Sequence, residues 1–248
     1  MPFALTLSTD APASLATPLL AVALAADEPL PPALADLDAR LNGALARAIA
    51  RRDFRGGRDE TLHFAGVEGG AERVLLVGLG KGADRNAALK RAGAVVARAA
   101  AKLGTGSVAF HAAGLDAAGA EQAGVGLALG AWRYDDLKTP PNESERRAPL
   151  DAATIVADEE ARAGVRAAEA IAEGYAVARR LAMMPGNVCT PDTFVEVGQE
   201  IAARHGMRLT VLGRAEMEAE GMGSFLSVAQ GTPQDPKLVA VEYRKGGD

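Results

Sequence analysis

Short apolar runs and helical stripes alternate along the first half of the chain. Phe3 to Leu7 and Leu19 to Leu24 read as strands. Leu34, Leu37, Leu41, Leu45 and Ile49 then repeat at spacings of three and four, which predicts one helix with a single apolar face. Thr61 to Phe64 and Arg73 to Val77 are the next strands. Asp84 is placed to cap a helix whose buried face is Leu89, Ala92, Val96, Ala99 and Leu103, and Gly104 ends it. Ser107 to His111 is another strand, and Asp116 is placed to cap an Ala/Gly-rich helix running to about Trp132. Strands alternating with helices predict a parallel or mixed sheet with helices on its faces.

The pattern breaks at Lys138 to Arg147, which holds Pro140 and Pro141 and has no apolar period, so it reads as an exposed loop or linker. Ala153 to Ala157 reads as a last strand. Val165, Ala168, Ala172, Tyr175, Ala178 and Ala182 mark one long helix, stopped at Pro185-Gly186. A second unit follows. Thr190-Pro191 is a cap plus a first-turn proline, Phe194, Val197, Ile201 and Ala202 form the expected buried face, and Gly206 ends that helix. Met207, Leu209 and Val211 alternate as a strand, and Arg214 to Glu220 is a short helix. Leu226 to Ala229 and Leu238 to Tyr243 are apolar runs of strand length. This unit is short for a stable α/β domain, and exposed hydrophobic surface is expected on it.

Composition narrows the class. Of 248 residues 48% are hydrophobic and 24% charged, which excludes a disordered, collagen-like or disulfide-stapled chain. Lys and Arg number 27 against 32 Asp and Glu, a net charge of −5, so the chain is not built for indiscriminate binding to phosphate backbones or anionic membranes. Cys189 is the one cysteine; no internal disulfide can form, which suits a reducing compartment. The run Leu15 to Ala26 resembles a secretory leader. However, no basic residue precedes Arg40 and Pro18 interrupts the run, so a buried strand is preferred. The run is also shorter than the roughly 20 residues that span a bilayer.

Candidate chemistry is sparse. Gly78, Gly80 and Ala83 satisfy G-x-G-x-x-A between a strand and a helix, the context of a dinucleotide or nucleotide site. The acid that would hold a ribose is missing, because the next strand ends Phe110-His111; a tight turn explains the same residues. His63, His111 and His205 are far apart, and none has a second ligand at metal spacing. Asp192, Glu196 and Glu200 line one helical face, as a hard cation would require, but also as any solvated face would. Asp135-Asp136 reads as a turn pair. Cys189, between Val188 and Thr190, reads as packed. Arg47, Arg51, Arg52, Arg55 and Arg58 form a basic stretch diluted by Asp53, Asp59 and Glu60. The residues alone describe a two-part α/β protein without a self-evident active site.

Met184-Pro185-Gly186-Asn187-Val188-Cys189-Thr190-Pro191 resembles the turn through which the leucyl (cytosol) aminopeptidase family enters its catalytic domain, M/L-P-x-N-x-x-x-P between two helices. Met183 stands where the family usually has Asn. Glu220 to Gly231, with Pro236 after it, resembles the family's G-M-G-x-x-L-x-V-x-x-G segment, and Val241-Glu242-Tyr243 fits the following strand. Val77 to Lys81 and Tyr134 to Lys138 sit where the amino-terminal domain of the family has similar segments.

The resemblance implies an α/β fold in three parts. They are a macro-like mixed-sheet amino-terminal domain (1–157), a connecting helix (158–184) and the beginning of an α/β catalytic domain (185–248), incomplete here. It implies an exopeptidase that releases amino-terminal residues, Leu-like by preference, from peptide substrates with two divalent metals, Mn or Zn. Family members are cytoplasmic homohexamers. The family's ligand segments, G-K-G-x-x-F-D-[ST]-G-G and N-T-D-A-E-G-R, do not occur in this sequence. No catalytic, cofactor-binding or metal residue is therefore carried over. The chain is expected to be truncated ahead of the metal site, to bind no metal pair and to hydrolyse nothing by itself. The alternatives are a nucleotide or ADP-ribose module at Gly78–Ala83 and DNA binding by the amino-terminal domain. Against nucleic acid stands the acidic balance; no membrane partner is expected.

Overall fold

The computed structural model describes residues 3–66, 68–82 and 84–246. It divides into two compact units, Met1–Ala178 and Arg179–Asp248. The first is built on six strands: β1 (Ala4–Ser8), β2 (Leu20–Ala25), β3 (Thr61–Ala65), β4 (Arg73–Gly80), β5 (Ser107–Ala112) and β6 (Ala152–Val156). Their order is β1-β6-β5-β2-β4-β3; all pairs are parallel except β3 with β4. The run suspected as a leader is the buried centre of this sheet: Leu20 to Leu24 are at most 3% exposed. Being covered on both faces, β2 has no polar alternation to display.

Each face has its own core. On one, Leu75, Val77, Phe110 and Ile155 meet α3 (Arg85–Leu103), α4 (Ala117–Ala131) and the start of α5 (Arg162–Met183). On the other, Val22, Leu24, Leu76 and Val156 meet Leu34, Leu37, Leu45 and Phe54. Local signals place the helices. Asp84 accepts the Ala87 N–H at 2.9 Å and Asp116 the Gly119 N–H at 2.7 Å, both as expected caps, and Gly104 ends α3 at φ 71°. The pair α3 and α4 packs at backbone contact: a Cβ on Gly126 would lie 1.9 Å from the Lys90 carbonyl oxygen, and one on Gly93 2.5 Å from that of Ala123.

The single helix expected from Leu34 to Ile49 is in fact broken. A 3₁₀ turn (Pro32–Leu34) leads into α1 (Ala35–Arg40), and α2 (Ala44–Ala50) follows a left-handed turn at Asn42 (φ 52°) and Gly43 (φ 74°). The Asp38 carboxylate bridges the break by accepting the Leu45 and Ala46 N–H groups at 2.8 and 3.2 Å. The apolar spacing survives because both short helices face one core, with Leu34, Leu37 and Leu45 fully buried.

The second unit holds α6 (Pro191–His205), β7 (Arg208–Leu212), α7 (Arg214–Ala219), α8 (Gly223–Ser227) and β8 (Leu238–Glu242). β7 and β8 pair antiparallel, Leu209 opposite Val241 and Val211 opposite Val239. α6 lies on this face: a Cβ on Gly198 would meet Val239 at 2.9 Å and Leu209 at 3.3 Å. Leu226 to Ala229, expected as strand, instead belongs to α8 and the turn after it. A run of four residues, Leu-Ser-Val-Ala, is too short to carry a period that separates the two. The expected buried face of α6 is only half realised. Ala202 is buried, but Phe194 is 49% exposed. Likewise the stripe of α5 is buried at Val165, Ala168 and Ala172 and then emerges at Tyr175.

Candidate functional site

In open α/β sheets ligands gather outside the carboxyl ends of the parallel strands. Here that edge of β2 and β4 is covered by the loop of residues 55–60. The Gly78 N–H donates to the Glu60 carbonyl at 2.8 Å, and the Gly80 N–H to the Gly56 carbonyl at 2.9 Å. Both glycines lie inside β4, not in a turn after it, and a Cβ on Gly78 would fall 1.8 Å from the Gly57 carbonyl oxygen. Their missing side chains admit this loop. Their amide hydrogens, which a phosphate would need, are already engaged. Ala83, the third position of the motif, lies outside the described residues.

Charges ring the same edge. Lys81 Nζ sits 2.6 Å from Asp27, and this hydrogen bond and its charge hold the Asp27 carboxyl below the usual range. Arg52 and Arg55 add to that field. Asp59 binds Arg91 at 2.9 Å, and the Glu60 carboxylate accepts the Gly57 and Arg55 N–H groups at 2.8 and 3.1 Å. The basic stretch is thus dispersed over loops and partly neutralised. Asp27 was not singled out by the sequence, because only the fold brings it beside Arg52 and Lys81.

Other candidates are kept apart. His111 is 8% exposed on the strand face it shares with Ala109, between Val22 and Val156. Its Nδ1 lies 3.0 Å from the Val156 carbonyl, so Nδ1 carries the proton, and Nε2 is buried without a partner among the described residues. Burial pushes its pKa down, against the opposing pull of that carbonyl and of Asp158. Asp192, Glu196 and Glu200 are all exposed on α6; Glu200 pairs with Arg204 at 2.8 Å. Cys189 is half-buried and Val188 is 39% exposed, so this stretch is not the packed position expected. Asp135 and Asp136 belong to a turn in which Lys138 reaches Asp135 at 3.0 Å. Among the described residues no three His, Cys, Asp or Glu side chains converge to hold a metal ion, so the residues present do not fit a two-metal centre.

The resembling turn has a defined geometry. Val188 and Cys189 donate N–H bonds to the Pro185 carbonyl at 2.8 and 2.9 Å. Thr190 caps α6 and exchanges bonds with Thr193 in a capping box, while the Thr193 hydroxyl also donates to the Val188 carbonyl at 2.8 Å. Further along, Gly221 turns left-handed at φ 70° just before α8. A cavity of about 760 Å³ in the first unit is lined by Trp132, Arg133, Arg166 and Glu169 among others, with neither His nor Cys. Among the described residues no helix is long and apolar enough to cross a membrane.

Comparison with known proteins gives these features a context. The amino-terminal domain model of the cytosol aminopeptidase family matches residues 21–141, and its catalytic domain model matches residues 176–248. The "Probable cytosol aminopeptidase" of Azoarcus sp. (strain BH72) is 35% identical over 257 residues, 97% of this chain and 51% of the relative. A mutant of tomato leucine aminopeptidase superposes over the whole chain and 52% of its own length, with a TM-score of 0.84 at 23% identity. The bottromycin maturation enzyme BotP in complex with Mn gives 0.74 at 24% identity, over 93% of this chain and 46% of its own. The chain spans about half the length of the curated relatives it matches. Two models of one family matched in order, onto a mixed-sheet unit and the unit after it, establish that the chain belongs to the cytosol aminopeptidase family.

Proposed function

We propose that the protein acts as a leucyl aminopeptidase, releasing amino-terminal residues from peptides. In this reading residues 1–157 form the macro-like amino-terminal domain, 158–184 the connecting helix and 185–248 the beginning of the catalytic domain. The observation that carries it is the ordered match of both family models. The capped turn from Met184 to Pro191 supports it at the junction. The complete enzyme works in the cytoplasm as a homo-oligomer, a hexamer by family, with two divalent ions, Mn or Zn. The manganese complex of BotP agrees with divalent metal use. Among the described residues no cluster would hold such a pair; in this reading the catalytic residues belong to the rest of the enzyme, and the 248-residue chain by itself is inert. The nucleotide and DNA readings have no support, since the Gly78 and Gly80 amides are engaged and the basic stretch is dispersed.

Expressing the whole coding frame that contains this sequence tests the reading. The product should hydrolyse a leucyl anilide with manganese or zinc and lose that activity to a chelator, while the 248-residue chain stays inert. A full-length product without turnover, or turnover by the 248-residue chain itself, overturns it.

A further inference from the structure

A second cavity, of about 260 Å³, opens in the first unit beside the end of β2. Its walls combine Ile49, Phe54 and Pro29 with Asp27, Arg52 and Arg55. Phe54 is 2% exposed and anchors the segment, and its N–H and that of Asp53 both donate to the Ala48 carbonyl. The backbone on either side is therefore fixed. Arg52 is held at φ 62°, its N–H bonded to the Ile49 carbonyl at 3.1 Å, and the Arg55 N–H is bonded to the Glu60 carboxylate.

Which groups remain free at this cavity decides what a ligand must bring. Asp27 is paired with Lys81, and the Glu28 carboxylate, also in the wall, accepts the Ala25 N–H at 3.0 Å. The guanidinium groups of Arg52 and Arg55 act on Asp27 through their charge, without a hydrogen bond or ion pair among the described residues. The acids are thus engaged in hydrogen bonds, whereas the N–H donors of the two guanidinium forks are not. A guanidinium matches a carboxylate in plane and charge, forming two parallel N–H···O bonds. The apolar wall of half-buried Ile49 and exposed Pro29, backed by the buried Phe54, suits a short hydrocarbon body and gives nothing to a fully hydrated ion. We propose that this cavity binds a small apolar carboxylate, its carboxyl group held by Arg52 and Arg55 and its hydrocarbon part on Ile49 and Pro29. The site does not depend on the peptidase reading, since it uses only residues of the first unit.

Amide chemical shifts of the ¹⁵N-labelled 248-residue chain, titrated with 4-methylpentanoate, test this. Saturable shifts are expected at residues 49–56. The alcohol 4-methylpentan-1-ol should leave them unmoved and inorganic phosphate should bind more weakly. The double variant Arg52→Gln/Arg55→Gln should lose at least about tenfold in affinity, the value of one charge-assisted bond. Both arginines are exposed, and the spectrum of the variant reports whether it folds; Arg55→Lys, which keeps the charge but not the fork, should lose less. Absence of saturable shifts overturns the proposal. So does an equal response to the alcohol, phosphate binding as tightly as the carboxylate, or a double variant that binds like the parent.

Discussion

The two units solve the same problem with unequal means. In Met1–Ala178 a six-stranded sheet is covered on both faces, and Leu19, Leu20, Leu75, Leu76 and Phe110 are fully removed from water. In Arg179–Asp248 two strands carry one helix on their apolar face, and among its described residues Met217 and Leu226 are the buried large side chains. Phe225 is 42% exposed, Tyr243 61% and Val228 86%. Local rules are obeyed equally in both: Thr190 caps α6 as Asp116 caps α4. What differs is burial, and burial supplies most of the free energy that holds helices and strands in place. A pair of strands with one covered face is marginal alone. The contrast teaches that correct capping and pairing define a shape, whereas layers on both sides make it stable.

Truncating the core widens the contrast most. Leu75→Ala should cost the first unit about 2–5 kcal/mol, measured by denaturant unfolding followed at Trp132. Val239→Ala should cost the second about 1 kcal/mol or less by amide exchange, since its side chain is only half-covered. Equal losses would abolish the distinction. Next comes crowding. Gly126→Ala forces a methyl group onto the Lys90 carbonyl and should destabilise by about 1–3 kcal/mol, whereas Gly223→Ala, with nothing within 4 Å, should be close to neutral in thermal melts. Caps should then level the two units: Asp116→Ala and Thr190→Ala each cost about 1 kcal/mol. The smallest effect at neutral pH is that of His111. Its folded pKa lies below the ordinary 6.5, so the folded state binds fewer protons than the unfolded one. Its contribution is full above about pH 6.5 and is lost as the pH falls toward the lowered value. Acid unfolding of the first unit should show that slope, and His111→Leu should flatten it.

What the sequence disclosed followed how local the cause was. Asp84, Asp116, Thr190 and Gly206 could be read in place, because a cap acts within one helical turn. The sheet strands were legible through their apolar runs. The break at Asn42-Gly43 was hidden, since Leu37 and Leu45 keep helical spacing across it. Gly78 and Gly80 were misplaced into a turn because the loop that fills their space comes from residues 56–60. The pocket of Arg52 and Arg55 was legible only as a diluted basic stretch; Asp27 and Lys81, which decide what stays unpaired there, join it only in the fold. The family was visible at Met184 to Pro191, where the motif itself makes the turn.

The glycine contacts between α3 and α4 reach beyond stability. At Gly93, Gly126 and Gly130 backbone of the facing helix lies where a side chain would have to go, so the two helices touch backbone to backbone there, while Leu89 of α3 packs its side chain against Gly119 of α4. Where backbone meets backbone there are no rotamers to rearrange, so a side chain added there has to move a whole helix. A replacement at any of these three positions meets backbone, whereas one at an exposed position of either helix meets solvent. The scarcity of aromatic residues, 4% of the chain, is consistent with an architecture that gains cohesion from closeness of approach instead of bulk.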